Sequence, residues 1–597
     1  MMREGSAGRS PGRGGGTQGG TSSYLEGAVP YPAEVIEEYV RNGWWPNQTY
    51  VDLFERVVRL APERESLVDD HRRLTWVDVE REVAALACAL RDRGVGRYDR
   101  VVVQLPNRAE YLVAFHALQR VAAVPVPAVP RLGIAELRAL IELTGPVAWF
   151  FPARDRSREF APLVEALRRD QLLPSLSVVV DDGEPAPEGT VRWSELVSGY
   201  DPDRSRELVR SFPRPDPNDV AVIFLTGGAT GRSKAVPRTH NSFLGNMMAI
   251  GINRRPDDVL IACTPVAHGM ANQGPLGGWL LSGAKLVMVG TPRARAILEA
   301  VSRERVTSMV LVPALLKDLL EEPDLGRYDL SSLRVVGSTS SYLDRELALQ
   351  ARRFFERWGC TFIGSAYGCT EGPSVGHSTD EPLDRLVSTV GRPTIPGHHW
   401  VVLDAEGHEL PPGEVGELAV RGPSVFTGYY RAPEENRRIF TASGYYRTGD
   451  QGFIDAEGYV HITGRLKDII QRGGEAVVPA EIEELILQHP AVSRAAVVAM
   501  PDPRLGERAC AYVVPRPGAT LTLEELVGFL RSRGAGPLQW PERLELIPAM
   551  PETAAGKLDR VALRADVARK VRATTSEGVP SREASASSMP FTHRSES

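Results

Sequence analysis

Ten residues of this chain, Leu225-Thr-Gly-Gly-Ala-Thr-Gly-Arg-Ser-Lys234, gather three glycines, two threonines, a serine and a lysine. They overlap the end of an apolar run, Val220-Ala-Val-Ile-Phe-Leu225. The pattern is that of a buried strand breaking into a flexible, hydroxyl-rich loop. Such a loop folds its backbone N–H groups around phosphate oxygens, because glycine lets the chain approach closely and adopt positive φ. Gly227, Gly228 and Gly231 supply that freedom; Thr226, Thr230 and Lys234 add donors and a positive charge. The expected chemistry is the handling of a nucleotide triphosphate. The loop departs from the G-x-x-x-x-G-K-[ST] pattern, since no lysine follows Gly231 directly and Ala235 follows Lys234. A plain Gly/Ser/Thr surface turn is the competing reading of these ten residues alone.

A phosphate loop needs a scaffold. At 597 residues the chain is too long for one ordinary core, so two or more domains are expected. Hydrophobic and charged fractions of 42% and 24% are those of a soluble globular protein, and a net charge of −6 gives no reason to expect nucleic acid or a membrane as partner. Cys88, Cys263, Cys360, Cys369 and Cys510 show no zinc spacing and read as reduced thiols of a cytoplasmic protein. Residues 1–23 read as a disordered leader and 574–597 as a disordered tail, both polar and poor in aliphatic residues.

Between the tails, short β-branched runs alternate with helical patterns. Val101–Leu105, Val124–Pro127, Lys285–Val289 and Ser308–Val312 read as strands, and Glu110–Arg120 as a helix. This alternation predicts α/β layering with largely parallel sheets. From Pro479 onward the pattern reads helix, strand, strand, helix, strand and a basic end, enough for a small α+β domain. The expected division is a core over 24–464 and a smaller domain over 465–573.

Four further islands accompany the loop: Gly364-Ser-Ala-Tyr-Gly-Cys-Thr-Glu-Gly372, Tyr446-Arg-Thr-Gly-Asp450, Gly464-Arg-Leu-Lys-Asp-Ile-Ile-Gln-Arg-Gly-Gly-Glu475 and Gly556-Lys557. In this order the five resemble the core motifs of the adenylate-forming superfamily: acyl- and aryl-CoA synthetases, luciferases and peptide-synthetase adenylation domains. The resemblance covers Tyr24 to Ala573. Within the superfamily the chain most resembles stand-alone salicylate and 2,3-dihydroxybenzoate AMP ligases. That narrower likeness rests on Asn42-Gly-Trp-Trp45, Val101-Val-Val-Gln-Leu-Pro-Asn107, Pro237-Arg-Thr-His240, Pro265-Val-Ala-His268, Gln471-Arg-Gly-Gly-Glu475 and Met500-Pro-Asp-Pro-Arg-Leu-Gly-Glu507.

The resemblance implies a large layered α/β core, a small mobile C-terminal domain, and ATP and Mg²⁺ as cofactors. It implies that Lys557 contacts the substrate carboxylate and the α-phosphate, and that Asp450 and Arg465 bind ribose. It implies that Tyr367, with Gly364 and Gly368, lines the adenine, that Thr370 reaches the α-phosphate, and that Glu371 holds Mg²⁺. Positive groups are needed because adenylation brings two anions together. Lys467 matches the hinge position. His268 matches a gate to the acid pocket, which Gly269, Gly337, Ser338 and Ser374 would line.

The pocket is where the likeness weakens. Gly269 stands where salicylate and dihydroxybenzoate enzymes carry an asparagine for the 2-hydroxyl, and Gly337-Ser-Thr-Ser-Ser341 replaces Gly-Gly-Ala-Lys. A lost donor and added space point to a differently substituted, heteroaromatic or bicyclic acid. The leading reading is an aryl-acid–AMP ligase that loads a separate aryl carrier protein in siderophore or peptide biosynthesis. The alternatives are an aryl- or acyl-CoA ligase and a non-catalytic sensor of nucleotide or acid.

Overall fold

The computed structural model describes residues 24–180, 183, 186–226, 234–250, 254–340, 343, 345–472, 475–553 and 556–576. Of the expected phosphate loop, Thr226 and Lys234 fall within this set, as the facing ends of two strands. Gly227, Gly228, Thr230 and Gly231, like the leader, lie outside the described residues.

Two mainly parallel sheets form the body. One runs Val124–Pro127, Arg100–Val103, Ala148–Pro152, Leu176–Val180, Val191–Arg192 in space, every neighbour parallel. Its strands, apart from the edge piece Val191–Arg192 and the leading Arg100, are buried on both faces, the signature of a sheet covered by helices on each side. The helix Ala109–Arg120 beside it is buried throughout except at its last residue. The other sheet has nine strands. Glu65–Val68, Lys285–Met288, Val259–Ala262, Ser308–Leu311, Val335–Thr339 and Thr361–Gly368 run parallel at its centre, with antiparallel strands at both edges.

The strand that leads into the glycine loop departs from the parallel expectation. Val220–Thr226 pairs antiparallel with Lys234–Thr239 in a separate two-stranded hairpin. A short connection forces this, since parallel neighbours need a crossover of a dozen residues or more. A four-stranded antiparallel sheet follows: His399–Leu403, Gly416–Arg421, Tyr446–Ile454, Val460–Arg465.

The C-terminal sheet holds Ile470–Arg472, Glu475–Val477, Val492–Asp502, Gly506–Pro515 and Arg543–Leu546. Period-two alternation divides its faces. Val497 packs with Ile482, Ile486, Leu526 and Leu530 of the helices Pro479–Leu487 and Leu523–Ser532. Ala496 and Val498 pack on the other side with Leu563 and Val567. The basic end is therefore a helix, Arg560–Ser576, and its backbone runs three residues past the boundary expected at 573. Among the described residues no helix is long and apolar enough to cross a membrane.

The crossing between the two parts is short. Arg465 is the last residue of a strand and sits opposite Asp450. Asp468, three residues on, is fixed to the C-terminal part by Arg564 Nη1 at 2.8 Å. Only Leu466 and Lys467 lie between these anchors. Other contacts bridge the boundary: Lys317 Nζ donates to Ser493 O at 3.0 Å, and Arg131 lies 3.9 Å from Glu552, which within the C-terminal part is 3.6 Å from Arg494.

Gly364 shows how tightly the central sheet is built. Its φ is +68°, and a Cβ would stand 2.8 Å from Leu386 Cγ and 3.2 Å from Leu386 O. The position needs glycine for packing as well as for backbone conformation. Gly364→Ala is expected to lower stability by about 1–3 kcal/mol, seen as a lower urea midpoint. An unchanged midpoint would remove this packing reason for the glycine.

Candidate active site

The strand Thr361–Gly368 runs into a tight turn in which Gly372 N–H donates to Cys369 O at 3.1 Å. A Cβ on Gly372 would collide with Ser424 O at 1.7 Å, so only glycine closes this turn. The turn presents Thr370 and Glu371. Glu371 is buried, and its Oε1 accepts from Tyr429 Oη–H at 2.7 Å. Lys234 is drawn to the same tyrosine: its ammonium lies 4.7 Å from the Tyr429 ring centroid and ion-pairs with Glu435.

Asp450 is buried on the neighbouring sheet, with both oxygens engaged. Tyr367 Oη–H donates to Oδ2 at 2.5 Å, and Arg465 Nε lies 2.8 Å from Oδ1. Burial raises the carboxyl above its usual range; Arg465 and the tyrosine hydroxyl pull the other way. Tyr367 thus bonds Asp450, a contact the adenine role expected for it did not include. The turn before it is closed by Thr448, whose Oγ1 accepts the Asp450 N–H at 3.1 Å.

Lys557 comes to this place from the small domain. It sits on a tight turn in which Thr553 N–H donates to Lys557 O at 2.7 Å and Lys557 N–H to Thr553 Oγ1 at 3.2 Å. Arg560 anchors the following helix by a two-pronged contact with Glu483, 2.6 and 2.8 Å. Solvent reaches the Lys557 side chain, but the protein crowded around its ammonium lowers its pKa. Arg465 adds repulsion, while Cys369, Glu371 and Asp450 oppose it. Burial, aided by Lys557, pushes the His268 imidazole down to about 4, so it is neutral at pH 7. The structure therefore brings Thr370, Glu371, Tyr367, Asp450, Arg465, His268 and Lys557 into one charged cluster.

Gly269 belongs to it as well. It is buried, and a Cβ there would meet only Thr370, at 3.9 and 4.0 Å. Asn272 does not turn toward that space. Its amide N–H donates to Val266 O at 2.6 Å, with longer contacts to His268 O and Tyr111 Oη. Asn272–Leu276 is a π-helical turn containing Pro275, and a Cβ at Gly274 would meet nothing within 4 Å. Ser340, at φ +77°, places Oγ 3.1 Å from Met270 Sδ. Gly337 packs against Ile363, the Ser338 hydroxyl is buried without a partner, and Ser374 Oγ accepts from Thr394 at 3.3 Å. None of these contacts joins the three to the charged cluster.

Sequence reasoning missed Tyr429, Glu435 and Arg238. Arg238 served only in the family likeness, yet it donates to Thr370 O at 2.9 Å. The signal was an arginine inside the apolar strand Lys234–Thr239, since arginine is almost never fully buried unless paired. Among the described residues no group of three His, Cys, Asp or Glu forms a metal cage. A hard cation held by Glu371 would need phosphate oxygens or water to complete its shell, which is how Mg²⁺ is commonly bound.

The model of the AMP-binding enzymes matches residues 54–430, and that of the AMP-binding enzyme C-terminal domain matches 481–557. The 2,3-dihydroxybenzoate-AMP ligase of Bacillus subtilis is 33% identical over 92% of this chain and 99% of its own length. The salicyl-AMP ligase / salicyl-S-ArCP synthetase of Mycobacterium tuberculosis is 33% identical over 90% of this chain and 94% of its own. The apo structure of MbtA from Mycobacterium smegmatis superposes with a TM-score of 0.67 at 33% identity, covering 91% of this chain and 100% of the other. With both family domains in order and its charged residues gathered where they meet, the chain belongs to the AMP-binding, adenylate-forming enzymes.

Proposed function

We propose that this enzyme activates an aromatic carboxylic acid with ATP and passes the acyl group to the pantetheine thiol of a separate carrier protein, in siderophore or peptide biosynthesis. The observation that carries the reading is Lys557, a small-domain cation held within electrostatic reach of His268, Glu371 and Asp450 of the core. In the first step a carboxylate oxygen attacks the α-phosphorus and pyrophosphate leaves, giving the acyl-adenylate. In the second the thiol attacks the acyl carbonyl and AMP leaves.

Lys557 offsets the charge where the two anions meet, and Thr370 contacts the α-phosphate. Asp450 and Arg465 hold the ribose, which requires the Tyr367 contact to loosen or to be shared. Tyr367, Gly364 and Gly368 line the adenine, and Thr226 to Lys234 hold the outer phosphates. Glu371 fits a Mg²⁺ because it offers a buried hard oxygen with one lone-pair site already fixed by Tyr429. Bound there, the ion would neutralise phosphate charge. His268, Gly269, Gly337, Ser338 and Ser374 shape the acid pocket. Lys467 is the hinge, supported by the anchors at Arg465 and Asp468 on either side. Thioester formation with CoA but not with a pantetheinylated carrier would overturn the acceptor; absence of acid-dependent ATP–pyrophosphate exchange would make the protein a sensor.

Lys557→Ala is expected to cut that exchange at least about 10²-fold with the fold intact. The lysine pKa is lowered in the folded enzyme, so its charge is lost at lower pH than that of an ordinary lysine. The alkaline limb of kcat/KM for ATP should therefore lie below the usual lysine range, and Lys557→Arg should move it upward. Near-wild-type exchange in Lys557→Ala would refute the role.

Lys467→Pro fixes one dihedral at the crossing. Adenylation should survive and thioester formation should fail; equal loss of both steps in a folded variant would place the hinge elsewhere.

Gly269→Asn should favour salicylate or 2,3-dihydroxybenzoate over the native acid by roughly 1 kcal/mol, read from exchange with a panel of aryl acids. A wild type that already prefers 2,3-dihydroxybenzoate, and loses the preference in Asn272→Ala, would overturn this reading of the pocket.

A further inference from the structure

Two tripeptides face each other behind the charged cluster. In the first, Thr370–Gly372, all three carbonyls are taken. Thr370 O accepts from Arg238 Nη1 at 2.9 Å, Glu371 O from Phe426 N–H at 2.8 Å, and Gly372 O from Asn246 Nδ2 at 2.8 Å and from the Ser424 hydroxyl. In the second, Pro423–Val425, all three are taken again. Pro423 O accepts from Trp45 Nε1 at 2.7 Å, Ser424 O from Arg238 Nη2 at 2.8 Å, and Val425 O from Tyr31 Oη–H at 2.5 Å. Among the described residues outside the two tripeptides Arg238 reaches both, beside the direct Ser424–Gly372 bond, and it also donates to Ser242 O at 3.1 Å.

Arg238 is 1% exposed, and its partners here are carbonyls rather than a carboxylate. A buried guanidinium whose hydrogen bonds go to carbonyls, with the Phe243 ring centroid 5.1 Å from it, is costly to keep. What its planar fork supplies is geometry, several donors in one fixed plane. The N-terminal segment backs it from outside. Besides Tyr31 and Trp45, Gly27 O accepts the Arg431 N–H at 2.8 Å, and Trp44 fills the space beside Gly397.

We propose that Arg238 is a positioning residue for adenylation: it sets the height of Thr370 and Glu371 against the 423–425 segment, which Trp45 and Tyr31 brace from the opposite side. This rests on the reading of Thr370 and Glu371 given above. Lysine at 238 keeps the charge but cannot span two tripeptides, so Thr370 O loses its tie to the 423–425 segment, while the Glu371 and Gly372 carbonyls keep theirs to Phe426 and Ser424 and the core stays filled.

The test compares Arg238→Lys, Ser424→Ala and Trp45→Phe with wild type. It uses ATP–pyrophosphate exchange on whichever of salicylate, 2,3-dihydroxybenzoate and anthranilate exchanges fastest, with Mg²⁺ and ATP titrated separately. Thermal shift by Mg²⁺-ATP is read in parallel, without acid. Arg238→Lys should lose about tenfold or more in kcat, the worth of a charge-assisted hydrogen bond, and need more Mg²⁺ for half-maximal rate. KM for the acid should hold. Ser424→Ala and Trp45→Phe should move in the same direction by less. A merely structural role would reduce the folded fraction and leave the Mg²⁺ requirement per folded enzyme unchanged, and that outcome overturns the proposal. So does wild-type behaviour of Arg238→Lys. If Arg238→Lys does not fold, the other two variants decide on the same readout. Glu371→Gln is the control: if it leaves rate and Mg²⁺ requirement untouched, the reading of Glu371 fails independently of Arg238.

Discussion

The Asp450 carboxylate, buried between the Tyr367 hydroxyl and the Arg465 guanidinium, is the contact on which the site's geometry hangs. A carboxylate removed from water costs several kcal/mol unless its oxygens find donors. Here each oxygen has one. Asp450 and Arg465 are opposed in register on adjacent strands, so the pair also fixes where the last strand of the large part ends. The chain then leaves through Leu466 and Lys467. The same guanidinium repels Lys557. One cross-strand pair thus sets the sheet register, the point of departure and the charge felt by the lysine arriving from the other side.

Much of the site is wired before any ligand is considered. Glu371 is held by Tyr429, Lys234 by Glu435 and Tyr429, and Asp450 by Tyr367 and Arg465. Charges held in place in this way need little reorganisation when charge develops nearby, which is the main way enzymes stabilise charged transition states. The segment after His268 is built otherwise. Gly269 and Gly274 leave space, Asn272 is spent on its own turn, and Pro275 sits within a π-helical turn. Such turns recur where function needs an irregular helix.

The candidate site residues were legible because each sits in a short island of unusual composition. Lys557, Asp450, Glu371 and Arg465 came from such islands, and the structure gathers them. The order of the C-terminal elements was also legible; the second of its helices, Leu523–Ser532, is marked locally by an amphipathic period and a Thr522 capping box. What could not be read is whatever depends on partners far away in the chain. Tyr367 and Asp450 are 83 residues apart, and nothing near either announces the other. Arg238 looked like part of a motif, though its role is to join two turns distant in sequence. The hairpin at Val220–Thr226 was missed for a related reason: an apolar run reads alike in a parallel and in an antiparallel pair.

The charged contact across the boundary is of a different kind from those inside the site. Glu552, which is 3.6 Å from Arg494 of its own part, reaches Arg131 of the large part at 3.9 Å, and all three side chains are well exposed. Pairs of this sort are individually weak and are screened within about 8 Å at physiological salt. The Arg131–Glu552 contact is thus one that dissolved ions weaken, while the shielded bonds around Asp450 and Glu371 are far less sensitive to them. Ionic strength therefore acts unevenly on the contacts of this chain: it weakens the Arg131–Glu552 pair at the boundary, while the bonds around Asp450 and Glu371 keep their strength.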